Sequence, residues 1–93
     1  VTTWTFFTNH AHALFCLAAD PDLRIRDLAL QVGITERAAQ RIVAELADAG
    51  VVEIERVGRR NRYRVNLSQP LRHPVEAGHT VGELVAVLAR PPR

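Results

Sequence analysis

Lysine is absent from this 93-residue chain, and all 12 basic residues are arginine. The codon composition of the source can produce such a bias, so by itself it carries little chemical meaning. Cysteine is nearly absent as well. Cys16 stands alone, which rules out a disulfide within the chain and favours a reducing compartment. The longest apolar run, Ala13 to Ala19, falls far short of the roughly 20 residues of a membrane-spanning helix. No signal-peptide pattern opens the chain, so the expected location is the cytoplasm, with no membrane partner. Val1 stands where a complete product would begin with Met, as in numbering that starts inside a longer product. The chemistry of catalysis is missing too. There is no phosphate-binding glycine loop, no nucleophile elbow and no paired-carboxylate site, so no enzyme is expected. Asp20 and Asp22 flank Pro21 and read as turn residues that end a helix. His12 and Cys16 are four apart, with His10, His73 and His79 elsewhere. Metal sites declare themselves by tight clusters of Cys and His, and none is present, so neither metal nor cofactor is expected.

What the chain does have is concentrated between residues 26 and 50, RDLALQVGITERAAQRIVAELADAG. Leu28, Ala29 and Val32 form an apolar stripe at helical spacing. Gly33 stops that helix, since glycine alone enters the left-handed C′ conformation without steric cost. Ile34 follows as a buried plug. Thr35 is placed to cap a second helix, and Glu36 suits the positive end of its dipole. Ala39, Val43 and Leu46 then recur on the inward face, and Gly50 ends the helix. Its opposite face carries Arg37, Gln40, Arg41 and Ala44. Arginine bonds guanine O6 and N7 bidentately and glutamine bonds adenine N6 and N7, so this face suits a major groove. The small Ala38 and Ala44 allow close approach of the backbone. Two helices joined by a glycine turn, with base-reading side chains on the second, are the arrangement of a helix-turn-helix.

The following segment changes period from 3.6 to 2. Val52 and Ile54 alternate with Glu53 and Glu55, and Tyr63, Val65 and Leu67 are the inward set of a second strand. Between them Val57-Gly58-Arg59-Arg60-Asn61 reads as the turn of a β-hairpin. Residues 56–64, RVGRRNRYR, hold five arginines and no acid. Such charges repel one another unless something negative neutralises them. A solvated hairpin whose charges merely protect an edge is the bland alternative. Arginines meeting phosphates would make binding fall with salt, and Arg59 or Arg60 at the tip suits a narrow minor groove. From Arg24 to Asn66 nine arginines face six acids, whereas the ends together carry a small negative balance. A basic surface gathered in one part of a chain is the footprint of a polyanion partner.

The stretch Gly33-Ile34-Thr35, with Ala38-Ala39-Gln40-Arg41 and a close at Ala49-Gly50-Val51-Val52, resembles the winged helix-turn-helix of ArsR/MarR-type bacterial transcriptional regulators. The likeness covers residues 26–66, and the Gly58-Arg59-Arg60 and Tyr63-Arg64 of the hairpin are similar to an ArsR-type wing. The resemblance implies a mainly α fold with a small β-hairpin wing and the function of a sequence-specific regulator of transcription. It implies double-stranded DNA as partner, with Thr35, Glu36, Arg37, Gln40 and Arg41 where the family touches DNA. Arg59, Arg60 and Arg62 are the expected wing contacts, and Thr35 is expected nearer a phosphate. The Cys cluster by which some ArsR-type regulators hold metal is absent from Leu28 to Val32. An alternative is a winged helix that binds a protein through the same face. An RNA-binding winged helix is disfavoured, because no aromatic cluster stands exposed among the arginines.

Around this centre the expected order is helix, short strand, helix, helix, two-strand wing, helix. Residues 1–7 read as a short extended aromatic arm or as the lead-in to the first helix, and His10 to Ala19 form a central buried helix capped by Thr8 or Asn9. Leu23-Arg24-Ile25 is the expected edge strand beside the wing, and Arg26 occupies the next helix's cap position. The domain is expected over residues 1–67. Residues 68–93 follow as a linker and a terminal helix, opened by a capping box of Thr80 and Glu83 and striped by Val81, Leu84, Val85 and Leu88. Gly82 in that helix suggests a close packing contact. The helix either covers the first helix or pairs with a second subunit, and a homodimer is expected, with the aromatic arm contributing. A pocket near Trp4, Phe6 and the last helix is conceivable, but nothing polar converges there to name an effector.

Overall fold

In a computed structural model, which describes residues 3–89, the chain folds as three helices, a two-stranded hairpin and a closing helix. The first helix, α1 (Asn9–Ala19), begins at Thr8, whose side chain accepts from the Ala11 N–H. Its Ala13, Leu14 and Leu17 are buried. The next two helices, α2 (Ile25–Val32) and α3 (Glu36–Asp48), are the predicted pair. Gly33, at φ 85°, lets its own N–H and that of Ile34 both reach Ala29 O, which closes α2 and turns the chain. Gly50, at φ 79°, does the same for α3. Its N–H meets Ala47 O, and the Val51 N–H meets Leu46 O. These two bonds make a Schellman close, which hands the chain directly to the hairpin.

The hairpin consists of β1 (Val52–Val57) and β2 (Arg60–Val65), antiparallel, with Val52 opposite Val65 and Val57 opposite Arg60. Its turn is therefore shorter than the five residues expected. Only Gly58 and Arg59 lie between the strands, with Gly58 at φ 63°. A two-residue turn with a left-handed glycine first matches the twist of the paired strands.

Three expectations are corrected. Leu23-Arg24-Ile25 is not a strand, because Ile25 already opens α2 and the Leu28 N–H bonds to Arg24 O. The one backbone bond near it, Tyr63 N–H to Pro21 O at 2.9 Å, comes before the segment, and that is too little for a ladder. The cap position of α2 is consequently Arg24, not Arg26, and no side chain caps it. The alternation in the hairpin also overstates its burial. Val52 and Tyr63 are buried, but Ile54 and Leu67 are about half exposed. Ile54 stands directly opposite the buried Tyr63 yet is left partly uncovered, and Leu67 lies beyond the end of β2, outside the hairpin.

One core gathers Leu14 and Leu17 of α1, Leu28 of α2, Ala39 and Val43 of α3, Val52 and Tyr63 of the hairpin, and Val81. The segment after β2 is not a free linker. Leu71 N–H bonds to His79 O, Val81 N–H bonds to Gln69 O, and Pro70 bridges Thr80. A short 3-10 turn, Pro74–Glu76, lies between those points. The last helix, α4 (Val81–Leu88), starts with Glu83 reaching back to the Thr80 N–H.

Gly82 is the close contact anticipated. Its N–H donates to Leu67 O at 2.9 Å, and a Cβ there would lie 2.8 Å from that same oxygen. Gly82→Ala is expected to destabilise the fold by a net ~1 kcal/mol, an overpacking cost of about 1–3 kcal/mol partly offset by the ~1 kcal/mol helix preference of alanine. Urea unfolding checks this, and a stabilised variant would show that Leu67 yields freely.

Candidate nucleic-acid interface

The second helix of the pair presents its polar face outward because its apolar face is consumed by the core. Ala39, Ile42, Val43 and Leu46 of α3 are buried, whereas Arg37, Gln40, Arg41 and Ala44 are exposed. Among the described residues no hydrogen bond or ion pair engages Arg37, Gln40 or Arg41. Their donors and acceptors are free for a partner. Thr35 is the N-cap of α3, and its Oγ1 accepts from the Ala38 N–H at 3.0 Å. One lone pair of the hydroxyl is therefore spent on the helix, while its O–H remains able to donate. Glu36 follows in the first turn, exposed. Farther along, Glu45 lies 3.0 Å from His10 Nε2 and ties α3 to α1.

The arginines of the hairpin divide into two groups. Arg64 pairs with Glu53 across the strands, and Arg62 Nε donates to the Asp22 carboxylate at 2.9 Å. Both guanidinium groups are held above their ordinary pKa, first by those hydrogen bonds and then by the carboxylate charges. The expected repulsion among five arginines is thus relieved in part from within the chain. Arg62, expected as a wing contact, pairs with the loop between α1 and α2. Arg60 Nη2 donates to Asp22 O at 2.7 Å, which leaves its other N–H groups available. Arg59, at the tip, engages no other described residue. Arg24, which faces Arg59 and Arg60 across a small hollow, was not among the residues expected from sequence. No local pattern signals it, since the proximity arises only when the hairpin folds back.

The remaining candidate chemistry resolves simply. Among the described residues no group of three His, Cys, Asp or Glu is arranged to hold a metal. Cys16 is partly buried, and desolvation pushes its thiol above the ordinary value. A hollow of about 630 Å³ does lie beside Phe6 and the last helix, walled also by Phe7, Leu14, Val75 and Val87, but Trp4 is not part of its wall. Polar groups do reach its wall, contrary to expectation. His79 and Glu83 meet there at 2.6 Å, a bond that lowers the Glu83 pKa, and His10 and Glu76 stand beside them. They converge because the segment after β2 folds back over α1 rather than trailing away. No helix among the described residues is long and apolar enough to cross a membrane.

Two helices joined at a left-handed glycine, an exposed Arg-Gln-Arg face on the second, and a basic hairpin directly after it define a winged helix-turn-helix. Residues 10–53 match the family model described as winged helix-turn-helix DNA-binding. Among solved structures the chain is similar to the zinc-dependent MarR family transcriptional regulator AdcR in its Zn(II)-bound state, with a TM-score of 0.51 and 19% identity over 70% of this chain. The similarity spans 47% of that protein's own length, about half of it. No curated protein matches the chain.

Proposed function

We propose that the chain is a sequence-specific transcriptional regulator that reads double-stranded DNA as a homodimer in the cytoplasm. The observation that carries this reading is the free, exposed row of Arg37, Gln40 and Arg41 on α3, with a basic wing beside it. In it, α3 enters the major groove, and Arg37, Gln40 and Arg41 meet base edges through bidentate bonds. The hydroxyl of Thr35 and the tip arginines Arg59 and Arg60 meet phosphates or the adjacent minor groove. Glu36 stands at the start of the same helix, where it screens unsuitable backbone approach and favours bases with exposed amino groups. Arg62 acts indirectly, by holding the wing against Asp22.

Fluorescence anisotropy on DNA from upstream of the chain's own gene, beside a shuffled duplex, tests the reading. Tight binding to the upstream DNA alone, weakening with salt, supports a sequence-specific regulator. Absence of binding to either duplex at low salt would remove it and turn attention to protein partners.

The second subunit is proposed from exposed apolar surface. Phe6, Val75 and Val87 are 88%, 86% and 69% exposed, and all three border the hollow between the arm, α1 and α4. Apolar surface gathered in this way marks an interface, and a two-fold dimer would present two recognition helices to a pseudo-palindromic site. Val87→Glu is expected to convert a micromolar dimer to monomer in sedimentation equilibrium without loss of fold. A wild-type chain that sediments as monomer at the same concentration would refute the dimer.

A further inference from the structure

The three arginines around the hollow between the α1–α2 loop and the wing are not explained by the fold. Arg24, Arg59 and Arg60 line one hollow of about 290 Å³, together with Asp22 and Asn61. Like charges brought around one space raise one another's energy unless an anion shares it. The one acidic residue that lines it, Asp22, has its carboxylate already engaged by Arg62 at 2.9 Å. Of the three lining arginines, only Arg60 bonds to the protein, and it does so to a neutral carbonyl, Asp22 O. The arrangement is nonetheless firmly set. Asp22 O holds Arg60, the Asp22 carboxylate holds Arg62, and Pro21 O accepts from the Tyr63 N–H at 2.9 Å. Tyr63 is itself buried in the core. Three bonds thus hold β2 against the loop and keep Arg24 opposite the wing tip. The end of α2 at Arg24 has no side-chain cap, so its first-turn N–H groups add potential of the same sign.

We propose that this hollow seats one phosphate of the DNA backbone, gripped by Arg24 from one side and by Arg59 and Arg60 from the other. The inference rests on the DNA-binding reading and adds Arg24 as a positioning contact outside the recognition helix and the wing tip. A backbone phosphate is favoured over a free anion because the hollow is continuous with the proposed interface, sharing Arg59 with it. Guanidinium groups converging from two elements suit the planar, multi-bonded grip that phosphate oxygens accept. Such a contact carries no base information but fixes the register of α3 in its groove.

The test measures the salt dependence of binding to a random duplex by anisotropy, between roughly 50 and 200 mM salt, for the wild type, Arg24→Gln and Arg26→Gln. Arg26 lies two residues on, exposed on the same helix, and does not line the hollow. Circular dichroism melts establish that each variant is folded. The expected result is a slope of log affinity against log salt shallower by ~0.9 for Arg24→Gln, the value of one phosphate contact, with Arg26→Gln close to wild type. An unchanged slope for Arg24→Gln, or equal reductions in both variants, would overturn the seat while wild-type binding left the DNA reading intact. A wild type that binds no duplex at low salt would overturn both.

Discussion

Leu17→Ala is expected to lower the free energy of unfolding by about 2–5 kcal/mol, the range for a leucine truncated in a close-packed core. Leu17 is fully buried near the end of α1, within the cluster that joins the helices to the hairpin. Truncation removes the transfer free energy of its methyl groups and leaves a cavity that surrounding helices only partly fill. A domain of this size has about 5–15 kcal/mol in total, so the loss is a large share. Each kcal/mol corresponds to roughly 4–8 °C in melting temperature for 60–100 residues, which makes the effect plain in a thermal scan. Urea unfolding followed by circular dichroism measures it directly. A loss below about 1 kcal/mol would mean that the site collapses around the missing atoms, contrary to the packing seen. Because Leu17 contributes nothing to the exposed face of α3, DNA affinity of the folded fraction should be unchanged.

Arg41→Ala is expected to cost about 1–3 kcal/mol on the preferred sequence and to relax preference at one base position. The reasoning is that Arg41 is free of internal partners and projects from the same face of α3 as Arg37 and Gln40. A bidentate contact to a base edge is lost only on sequences that offer the right base, so discrimination falls with affinity. Arg60→Ala serves as the contrast. Its remaining N–H groups point to phosphate chemistry, so all sequences should weaken alike, with the salt slope reduced by about 1. Equal losses on preferred and random DNA for Arg41→Ala would place that residue on the backbone instead of a base.

The helix pair and the face of α3 were legible because both rest on local rules. A left-handed glycine ends α2, a threonine caps α3, and a 3.6-residue period separates the buried Ala39, Val43 and Leu46 from the exposed Arg37, Gln40 and Arg41. Each rule acts within a few residues, so nothing distant is needed to apply it. The expected strand at Leu23 to Ile25 failed for the opposite reason. Alternation marks which residues can pair but not whether a partner offers enough bonds, and here the hairpin supplies one, to Pro21 before the segment. Ile54 and Leu67 had the right period but are about half exposed, because a period records the direction of a side chain and not what covers it.

The same division runs through the candidate interface. The amino-acid sequence by itself determined which residues are basic, which helix presents them, and that a wing follows directly after it. Only the tertiary structure decided how the arginines are shared out. Arg62 and Arg64 are turned onto Asp22 and Glu53, Arg60 onto a carbonyl, and Arg59 is left free, while Arg24 joins them across a hollow. The physical reason is distance along the chain. Asp22 and Arg62 lie 40 positions apart, and no local propensity records a contact that exists only once the hairpin has folded back over the loop.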